Sequence, residues 1–436
     1  MNAAGHRSSR GADERGAVLI MVALALLALL ALSAFVFDYG VMWSSRRQAQ
    51  NSADAGALAG ALSLAFDSPT DQAAARARAI AMATENQVWG QAPSVTDGDV
   101  TFPVCPPGTP GPTDTCVKVD VFRNQARGNA LPTFFAHLVD ITSQGVVATA
   151  TAQVVSGSTT NCLRPWAVLD RWQEFGPEGP VPTPISTFDR YSTGQGNNPP
   201  QENDVYIPPY NGGGTGYQLP ADYGRRFAIK VGPTGGNEIS SGWFRTIDLP
   251  RADTTQLGNN TVQNNILTCN GLPSSFAGPT TVCPTSIGNT WAETAYWAER
   301  GCYRVQTGAT VGSTRNTVEE LLAQDGGARW VNGQGITDST FDPPATSPRV
   351  VPIGVMDIDS YLSLDPTGNN GVLRMVNIYG FFIEGMGNVD RNTGAITMAA
   401  NGSSVIGRIM NIPGMGVGAS SLPGPATFLN IVRLVR

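Results

Sequence analysis

The chain has few histidines, no C-x-x-C motif and no net positive charge, and each of these features argues against a class of function. Only two histidines occur, His6 and His137, and no cysteine lies in a C-x-x-C pair, so the usual zinc ligands are missing. The formal net charge of −6 at pH 7 gives nucleic-acid binding no electrostatic support. We therefore expect no metal, no cofactor and no nucleic-acid partner.

The motifs of common enzyme classes are missing as well. The sequence holds no G-x-S-x-G, H-E-x-x-H or G-x-x-x-x-G-K-[ST] pattern. His137 lies in the apolar segment PTFFAHLVDI, where we expect a structural histidine near the core and not a general base. Asp357, Asp359 and Ser360 lack the D-x-S-x-S metal spacing, and we interpret them as a helix start or turn. We expect no catalytic residues, no small-molecule substrate and a protein that is not an enzyme.

One segment offers oxygen atoms at the alternate positions typical of a calcium loop. Asn388, Asp390, Asn392 and Gly394 follow this pattern. Thr393 stands where the EF-hand pattern needs glycine, and no acidic residue closes the loop. A hairpin turn between two strands is the interpretation that we prefer.

What the sequence does contain is one long apolar run. Residues 16–37 are 22 residues without a charge, which as a helix extend roughly 33 Å, enough for a hydrocarbon core of roughly 30 Å. Only a helix or a closed barrel satisfies the backbone in such a core. The apolar region of a secretory signal is shorter, about 7–15 residues, and ends at a cleavage site. We therefore expect a retained transmembrane helix.

Arginine and cysteine positions predict the orientation of this helix. Arg7, Arg10 and Arg15 precede the run, and Arg46 and Arg47 follow it, which is a small bias toward a cytoplasmic N-terminus. All six cysteines follow the run, and an even number of thiols on one side of a membrane suggests disulfides in an oxidising compartment. We expect a single-pass protein of the bacterial inner membrane whose bulk is periplasmic or otherwise extracytoplasmic.

After residue 37 the chain continues without a break into a polar, alanine-rich helix. Small residues spaced by four share one face of it and form a candidate helix-packing face: Ala49, Ala53, Gly56, Ala57, Gly60 and Ala61. Two interpretations stay open, a contact with a sister pilin-like helix and packing against the chain's own second helix. Ser68, Pro69 and Asp71 predict the start of that second helix, which we expect to reach about residue 88.

Strand and disulfide signals follow these helices. Residues 100–104 and 117–121 alternate apolar and polar side chains, as half-buried strands do, and Cys105 and Cys116 bracket the Pro/Gly-rich loop between them. We predict a disulfide between these two cysteines that staples the hairpin. A short helix near residues 131–138 and a strand over residues 146–155 come next.

The remainder of the chain is typical of a β-rich domain with long loops. We predict strands at residues 226–231, 243–247, 349–355, 372–382, 405–411 and 428–435, and a helix at 317–324. Residues 176–216 have little periodicity and predict a surface excursion or a binding surface. The fold class is α+β, in which a long membrane-spanning helix leads into a disulfide-containing exported part. We divide it into a cytoplasmic polar tail (1–15), a transmembrane helix (16–37), an extramembrane helical segment (38–88), a small α+β segment (89–160) and a β-rich exported domain (161–436).

Residues 46–61 read RRQAQNSADAGALAGA. With the apolar helix before it, this block resembles the N-terminal region of Tad-type (Flp) pilus-assembly proteins of the TadG-like kind. Weaker similarity to the β-rich C-terminal part of Tad-like proteins runs through CLRPWAV, SPRVVPIGV, NIYGFFIEGM and FLNIVRLVR. The resemblance implies a membrane-anchored, non-enzymatic component of a pilus or related secretion apparatus. Its implied partners are the inner membrane and other Tad or pilin-like envelope proteins, and no catalytic residues are carried over.

The sequence departs from prepilins at one position. Prepilins are cut after a glycine and usually carry Glu five residues beyond it, whereas the fifth residue after Gly16 is Met21. A glutamate inside a membrane span needs a partner, so its presence signals ordered polymerisation. An assembly factor therefore fits better than a major pilin. The alternative function is a membrane-tethered periplasmic or surface module that binds a glycan or a protein through the loops at 176–216.

Overall fold

The computed structural model describes residues 13–67, 71–105, 116–176, 179–181, 188, 204–211, 214–230, 244–306, 311–364, 371–390, 395–417 and 428–435. Its α-helices are α1 (Asp13–Leu62), α2 (Gln72–Glu85), α3 (Asn259–Leu267), α4 (Trp291–Ala298), α5 (Val311–Ala323) and α6 (Ile358–Leu364). A π-helical turn covers Ser63–Asp67, and 3-10 turns cover Asp97–Asp99, Gln125–Arg127, Ala136–Val139 and Pro344–Thr346.

The strands in chain order are β1 (Val100–Thr101), β2 (Val117–Arg123), β3 (Leu131–Pro132), β4 (Ser143–Gln144), β5 (Val146–Thr160), β6 (Trp166–Leu169), β7 (Glu174–Gly176), β8 (Gly179–Val181), β9 (Arg226–Lys230), β10 (Phe244–Thr246), β11 (Ser274–Ser275), β12 (Cys302–Arg304), β13 (Arg329–Val331), β14 (Gly335–Thr337), β15 (Val350–Met356), β16 (Val372–Val389), β17 (Ile396–Met398), β18 (Ser404–Met410), β19 (Ile412–Pro413), β20 (Met415–Val417) and β21 (Leu429–Val435). The predicted α+β fold class is confirmed.

α1 is one helix of 50 residues that runs from the apolar segment into the folded part of the protein. It contains no proline, and most of its residues are good helix formers, so nothing interrupts it between the two halves. α2 begins after Asp71, whose carboxylate accepts hydrogen bonds from the N–H groups of Ala73 and Ala74, both at 3.0 Å. The helix-start signals at Ser68 and Pro69 lie outside the described residues.

The second half of α1 and α2 together cover a sheet with the strand order β1-β2-β5-β21-β19. β2 turns Val117, Val119 and Val121 into the core and leaves the residues between them half-buried. β5 runs past its predicted end at residue 155 and also pairs with β11 and β20. This first sheet and its two helices enclose a core of alanine, valine and leucine side chains.

A second sheet follows the order β10-β6-β15-β16-β18-β9, with β12 and β17 also pairing with β16. Both of its faces are buried, because neighbours along β6 such as Trp166 and Ala167 belong to different cores. Residues of α3 and α5, including Ile266 and Leu321, belong to the same core as Trp166. Burial on both faces explains why β16 is an almost continuous buried strand.

The C-terminal strand crosses the predicted domain division. β21 pairs with β5, with Ile431 opposite Val155, and with β19, so it belongs to the first sheet. The predicted boundary at residue 160 stays a prediction, although this strand, which the boundary assigns to residues 161–436, pairs with a strand that begins before it. The pairing joins segments far apart in sequence, and their local alternation does not reveal it.

Several predicted elements need correction. The helix expected at residues 131–138 is wrong, because Leu131–Pro132 is a strand and only Ala136–Val139 forms a 3-10 turn. α2 ends at Glu85, short of residue 88, and α5 begins at Val311, ahead of residue 317. α3 and α4 have no counterpart among the predicted elements, because each is short and α3 is rich in asparagine.

Three disulfides link cysteines in the part of the chain that follows α1. They join Cys105 to Cys116, Cys162 to Cys269 and Cys283 to Cys302. The first is the pair expected from the sequence, and it closes the connection that leads into β2. The second closes a loop with a sequence separation of 107, whereas the third has a separation of 19. The long one therefore constrains much of the β-rich part.

Two predicted surface features lie partly outside the described residues. Within 176–216, the described residues Phe188 and Tyr206 are buried in a core of the second sheet, so this stretch is more than a surface excursion. At the calcium-like segment, β16 pairs with β17, with Val389 opposite Ile396. The preferred hairpin interpretation is therefore confirmed, although residues 391–394 of its tip are not described.

Candidate functional site

The first candidate surface is the bare N-terminal part of α1. Among the described residues, the stretch Val18–Phe66 contains the one helix that is long and apolar enough to cross a membrane, and none of its most apolar window is buried. The exposed large side chains are Val18, Leu19, Ile20, Met21, Val22, Leu24, Leu26, Leu27, Leu29, Leu30, Leu32, Phe35, Val36 and Phe37. An apolar helix surface of this length needs lipid or a protein partner around it.

Asp38 forms a junction between this helix and the folded part. It follows directly after the apolar run, yet only 8% of its surface is exposed. Its Oδ1 atom accepts a hydrogen bond from the N–H of Phe134 at 2.7 Å, and Oδ2 accepts from the N–H groups of Phe135 at 3.0 Å and Ala136 at 2.6 Å. The carboxylate thus caps the N–H groups at the start of the 3-10 turn Ala136–Val139. A lone acidic residue at the end of an apolar run was the only sequence signal of this junction.

Aromatic side chains surround the same level of the helix. The rings of Phe35 and Tyr39 stack with centroids 5.8 Å apart, and those of Tyr39 and Trp43 lie 6.4 Å apart. The ring of Phe37 contacts that of Phe135 at 5.8 Å. Tryptophan and tyrosine concentrate where a membrane helix meets water, so these rings are placed as a membrane-interface belt would be.

His137 is exposed, and the expectation of a core histidine is wrong. It lies in the 3-10 turn that Asp38 caps. The local sequence is apolar, but the captured backbone turns this loop outward, so that Phe134 and Ile141 are exposed beside it. The apolar composition of PTFFAHLVDI reflects an exposed apolar surface and not a buried segment.

The predicted helix-packing face is covered by the chain itself. A Cβ atom added to Gly56 would lie 2.9 Å from the carbonyl oxygen of Ala79 and 2.9 Å from the Cβ of Ala83. One added to Gly60 would lie 2.8 Å from Cγ1 of Val117. The face packs against α2 and the first sheet and is therefore not free for a sister helix. All six of its residues are buried: Ala49, Ala53, Gly56, Ala57, Gly60 and Ala61.

The inner end of α1 is bonded to C-terminal strands. The carbonyl oxygen of Ala65, in the π-helical turn, accepts hydrogen bonds from Nδ2 of Asn411 at 3.0 Å and Nδ2 of Asn430 at 2.9 Å. Asn411 lies between β18 and β19, and Asn430 lies in β21. All three residues are buried, so these bonds are shielded from water. The second half of α1 is therefore an internal element of the folded part.

Two ion pairs are buried in the β-rich part. Arg374 forms an ion pair with Asp357, Arg304 forms one with Asp248, and all four are buried. The carboxylate of Asp357 also accepts hydrogen bonds from the N–H groups of Asp359 and Ser360, and α6 starts there as predicted. In the part of the chain that the structure describes, no three His, Cys, Asp or Glu side chains come together as metal ligands would.

Asp170 is the buried carboxyl with a strongly shifted pKa. Burial raises its pKa to about 7, against the opposing effect of the N–H groups of Arg171 and Tyr217 and the hydroxyl of Tyr206, and the charge of Asp357 raises it further. Tyr206 lies near the end of the predicted long loop at 176–216, and Tyr217 follows directly after it. The carboxyl thus fixes this segment against the end of β6.

A cavity of about 520 Å³ lies between the helical layer and the hairpin of β13 and β14. Its lining includes Phe66, Arg78, Tyr223, Trp330 and Gln334. The rings of Tyr223 and Trp330 are 5.8 Å apart, and the hydroxyl of Tyr223 donates a hydrogen bond to the carbonyl oxygen of Phe66 at 3.3 Å. The volume falls in the range of small-ligand pockets, roughly 300–1,000 Å³. No local pattern predicts this cavity, because its walls come from distant segments.

Comparison with known proteins links the anchor region to one family. Residues 16–63 match the family described as "Putative Flp pilus-assembly TadE/G-like". No curated protein and no solved structure matches the chain. The matched residues include both the bare apolar helix and the helix-packing face. The N-terminal segment of this chain is therefore similar to TadE/G-like Flp pilus-assembly proteins, as the resemblance predicted.

Proposed function

We propose that this chain is a membrane-anchored, non-enzymatic assembly component of a Tad/Flp-type pilus or a related secretion apparatus. The observation that carries the proposal is the continuity of α1. Its first half is bare and apolar, and its second half is a core element of the folded part. No break separates the two halves of α1, so the domain has a fixed height relative to the membrane and tilts together with the helix.

The orientation that we propose has the N-terminus in the cytoplasm and the domain outside the inner membrane. The arginines before the apolar run support it. The three disulfides also support it, because such bonds persist in an oxidising compartment. Partners of the assembly then meet the domain in the periplasm and the bare helix in the lipid.

A role in assembly, and not as a fibre subunit, follows from two features. Met21 stands in the span at the position of the polymerisation glutamate of prepilins. The helix-packing face, which a sister pilin helix would need, is occupied by α2. Contacts with other envelope proteins therefore have to use the bare half of α1 or the outer surface of the domain.

Deletion and complementation test the proposal. Cells without the chain should lack surface fibres, and the full chain should restore them.

A chain whose residues 46–64 are removed is not a useful variant, because these residues form part of the core. The sharper variant replaces residues 16–37 with an unrelated apolar helix of the same length. Restored fibres would assign the span to anchoring alone, and lost fibres with a folded domain would assign it a specific contact. Normal fibres in the deletion strain would overturn the proposal.

A second candidate function is a tethered binding module, and the 520 Å³ cavity favours it. Trp330 and Tyr223 offer aromatic faces to a sugar ring, and Arg78 and Gln334 offer hydrogen-bond donors. Titration of oligosaccharides against the tryptophan fluorescence of the full chain, with Trp330→Ala as the control, tests this function. Saturable binding that the substitution abolishes would support it, and no binding by the unaltered chain would exclude a glycan module at this cavity.

A further inference from the structure

The loop between β3 and β4 exposes apolar side chains beside the membrane end of α1. Phe134, Phe135 and Ile141 expose 56%, 37% and 52% of their surfaces. His137 and Asp140 on the same loop are exposed as well and give it polar groups. Exposed apolar side chains gathered in one loop mark a contact surface. We call residues 133–141 the apolar loop.

The apolar loop is held in a fixed conformation at both ends. β3 pairs with β4, with Leu131 opposite Gln144, and Leu131 is buried in the core. The hydroxyl of Thr133 donates to the carbonyl oxygen of Ile141 at 2.8 Å, and the N–H of Ile141 donates to the carbonyl oxygen of Ala136 at 3.1 Å. These bonds hold the loop closed, so its exposed rings have a fixed position.

The height of the loop relative to the membrane is fixed by α1. Phe37 is the last residue of the apolar run, so a spanning helix brings it to the edge of the hydrocarbon core. Phe135 contacts Phe37, and the carboxylate of Asp38 binds the N–H groups of Phe134, Phe135 and Ala136. The loop thus lies at the level where headgroups meet acyl chains, a zone of roughly 5–8 Å on each side of the core.

We infer that the apolar loop inserts its exposed side chains into the outer leaflet of the membrane that α1 crosses, as a second contact beside the helix. Continuity with the bare helix identifies lipid as the occupant, because the patch begins where the lipid-facing surface of α1 ends. Two points of contact fix the tilt of the domain on the membrane, which a single helix leaves free. This inference rests on the membrane anchoring in the proposed function and not on the role in pilus assembly.

Lipid quenching of an added tryptophan tests the inference on the full chain in phosphatidylcholine vesicles. Phe134→Trp adds a fluorophore at the loop, and Val282→Trp is the matched control, because Val282 is 83% exposed and belongs to the β-rich part. The extra emission of Phe134→Trp should be blue-shifted and should be lost in vesicles whose acyl chains are brominated near the headgroup. The extra emission of the control should respond to neither.

The outcomes separate three cases. An extra emission from Phe134→Trp that brominated lipid does not quench would overturn the inference, and a blue shift without quenching would show a protein contact instead.

Flotation with the vesicles after an alkaline wash reports the α1 anchor independently. A chain that floats and is not quenched therefore contradicts the loop contact alone, and one that does not float contradicts the anchor and with it the inference. In the background of Asp38→Ala, which releases the loop, the quenching should weaken.

Discussion

Asn430 donates a hydrogen bond from Nδ2 to the carbonyl oxygen of Ala65 at 2.9 Å, which joins the C-terminal strand to the end of the anchor helix. Asn411 donates to the same oxygen at 3.0 Å. The π-helical turn Ser63–Asp67 presents this carbonyl inside the protein. One backbone oxygen at the end of the first helix thus accepts hydrogen bonds from two segments that lie 346 and 365 residues further along the chain.

Removing these amides should destabilise the domain in a non-additive way. Asn430→Ala or Asn411→Ala leaves the carbonyl of Ala65 with one side-chain donor, and we expect each to cost about 1 kcal/mol. The double variant removes both side-chain donors from a buried carbonyl, so its loss should exceed the sum of the two. Urea unfolding of the full chain in detergent measures all three. Strict additivity would contradict the shared role of this oxygen.

Alanine at the close helix contact should destabilise the fold through crowding. Gly56→Ala and Gly60→Ala each introduce a Cβ atom under 3.0 Å from atoms of α2 or β2, and overpacking costs about 1–3 kcal/mol. Gly40→Ala is the control, because no atom lies within 4 Å of its added Cβ and alanine favours the helix by up to about 1 kcal/mol. Thermal unfolding should therefore show opposite signs. Equal effects at Gly40 and Gly60 would contradict the close contact between α1 and α2.

Asp170 should make the domain less stable as the pH rises. Its pKa is raised to about 7 when folded and is near 3.9 when unfolded. The folded state therefore binds the proton more tightly. The resulting stability is complete below about pH 4 and is lost as the pH rises toward 7, a change on the order of 4 kcal/mol.

Asp170→Asn should remove this part of the pH dependence, measured by urea unfolding between pH 4 and pH 8. Asp325 provides a control of opposite sign. Burial raises its pKa, but hydrogen bonds from Ser347, Ser339 and Thr340 outweigh it, so the pKa is lowered overall. Asp325→Asn should therefore cost stability mainly above the pKa of an unfolded Asp. An unchanged pH profile in Asp170→Asn would contradict the buried, protonated carboxyl.

Two of the three disulfides close loops of very different length, and they should contribute differently to the free energy of unfolding. Cys162–Cys269 spans 107 residues and Cys105–Cys116 spans 11. Chain-entropy arguments give about 4.7 kcal/mol for a loop of about 100 residues and less than about 3 kcal/mol for one shorter than about 15. Replacing each pair by alanine and comparing urea midpoints tests this ranking. Non-reducing peptide mapping first checks the pairing, and any fragment that links Cys105 to another cysteine would contradict it.

Local patterns in the sequence were enough for the anchor, the helix that follows it and most strands of the second sheet. The alternation at residues 117–121 and the largely apolar strand predicted at 372–382 are direct consequences of which faces are buried. The Cys105–Cys116 pair was accessible because it lies at the two ends of one short connection.

Features formed between distant segments could not be predicted. The pairing of β21 with β5 and the capture of the apolar loop by Asp38 depend on residues about 100 or more positions apart. The spacing of Gly56 and Gly60 predicts a face of small residues, but it does not predict what packs against that face. Alanine-rich α2 and a sister helix would both need the same small residues at these positions. The apolar segment around His137 predicts a histidine near the core, because an exposed apolar segment and a buried one have the same composition.

Shear fractionation of piliated cells tests the central claim most directly. The claim is that the chain stays in the membrane as an anchored assembly component and does not become a fibre subunit. After shearing, quantitative immunoblotting should find the chain in the inner-membrane fraction, with its full apolar helix retained, and not in the released fibres. Recovery of the chain in sheared fibres as a repeating subunit, or as a soluble domain cleaved from its helix, would contradict the account.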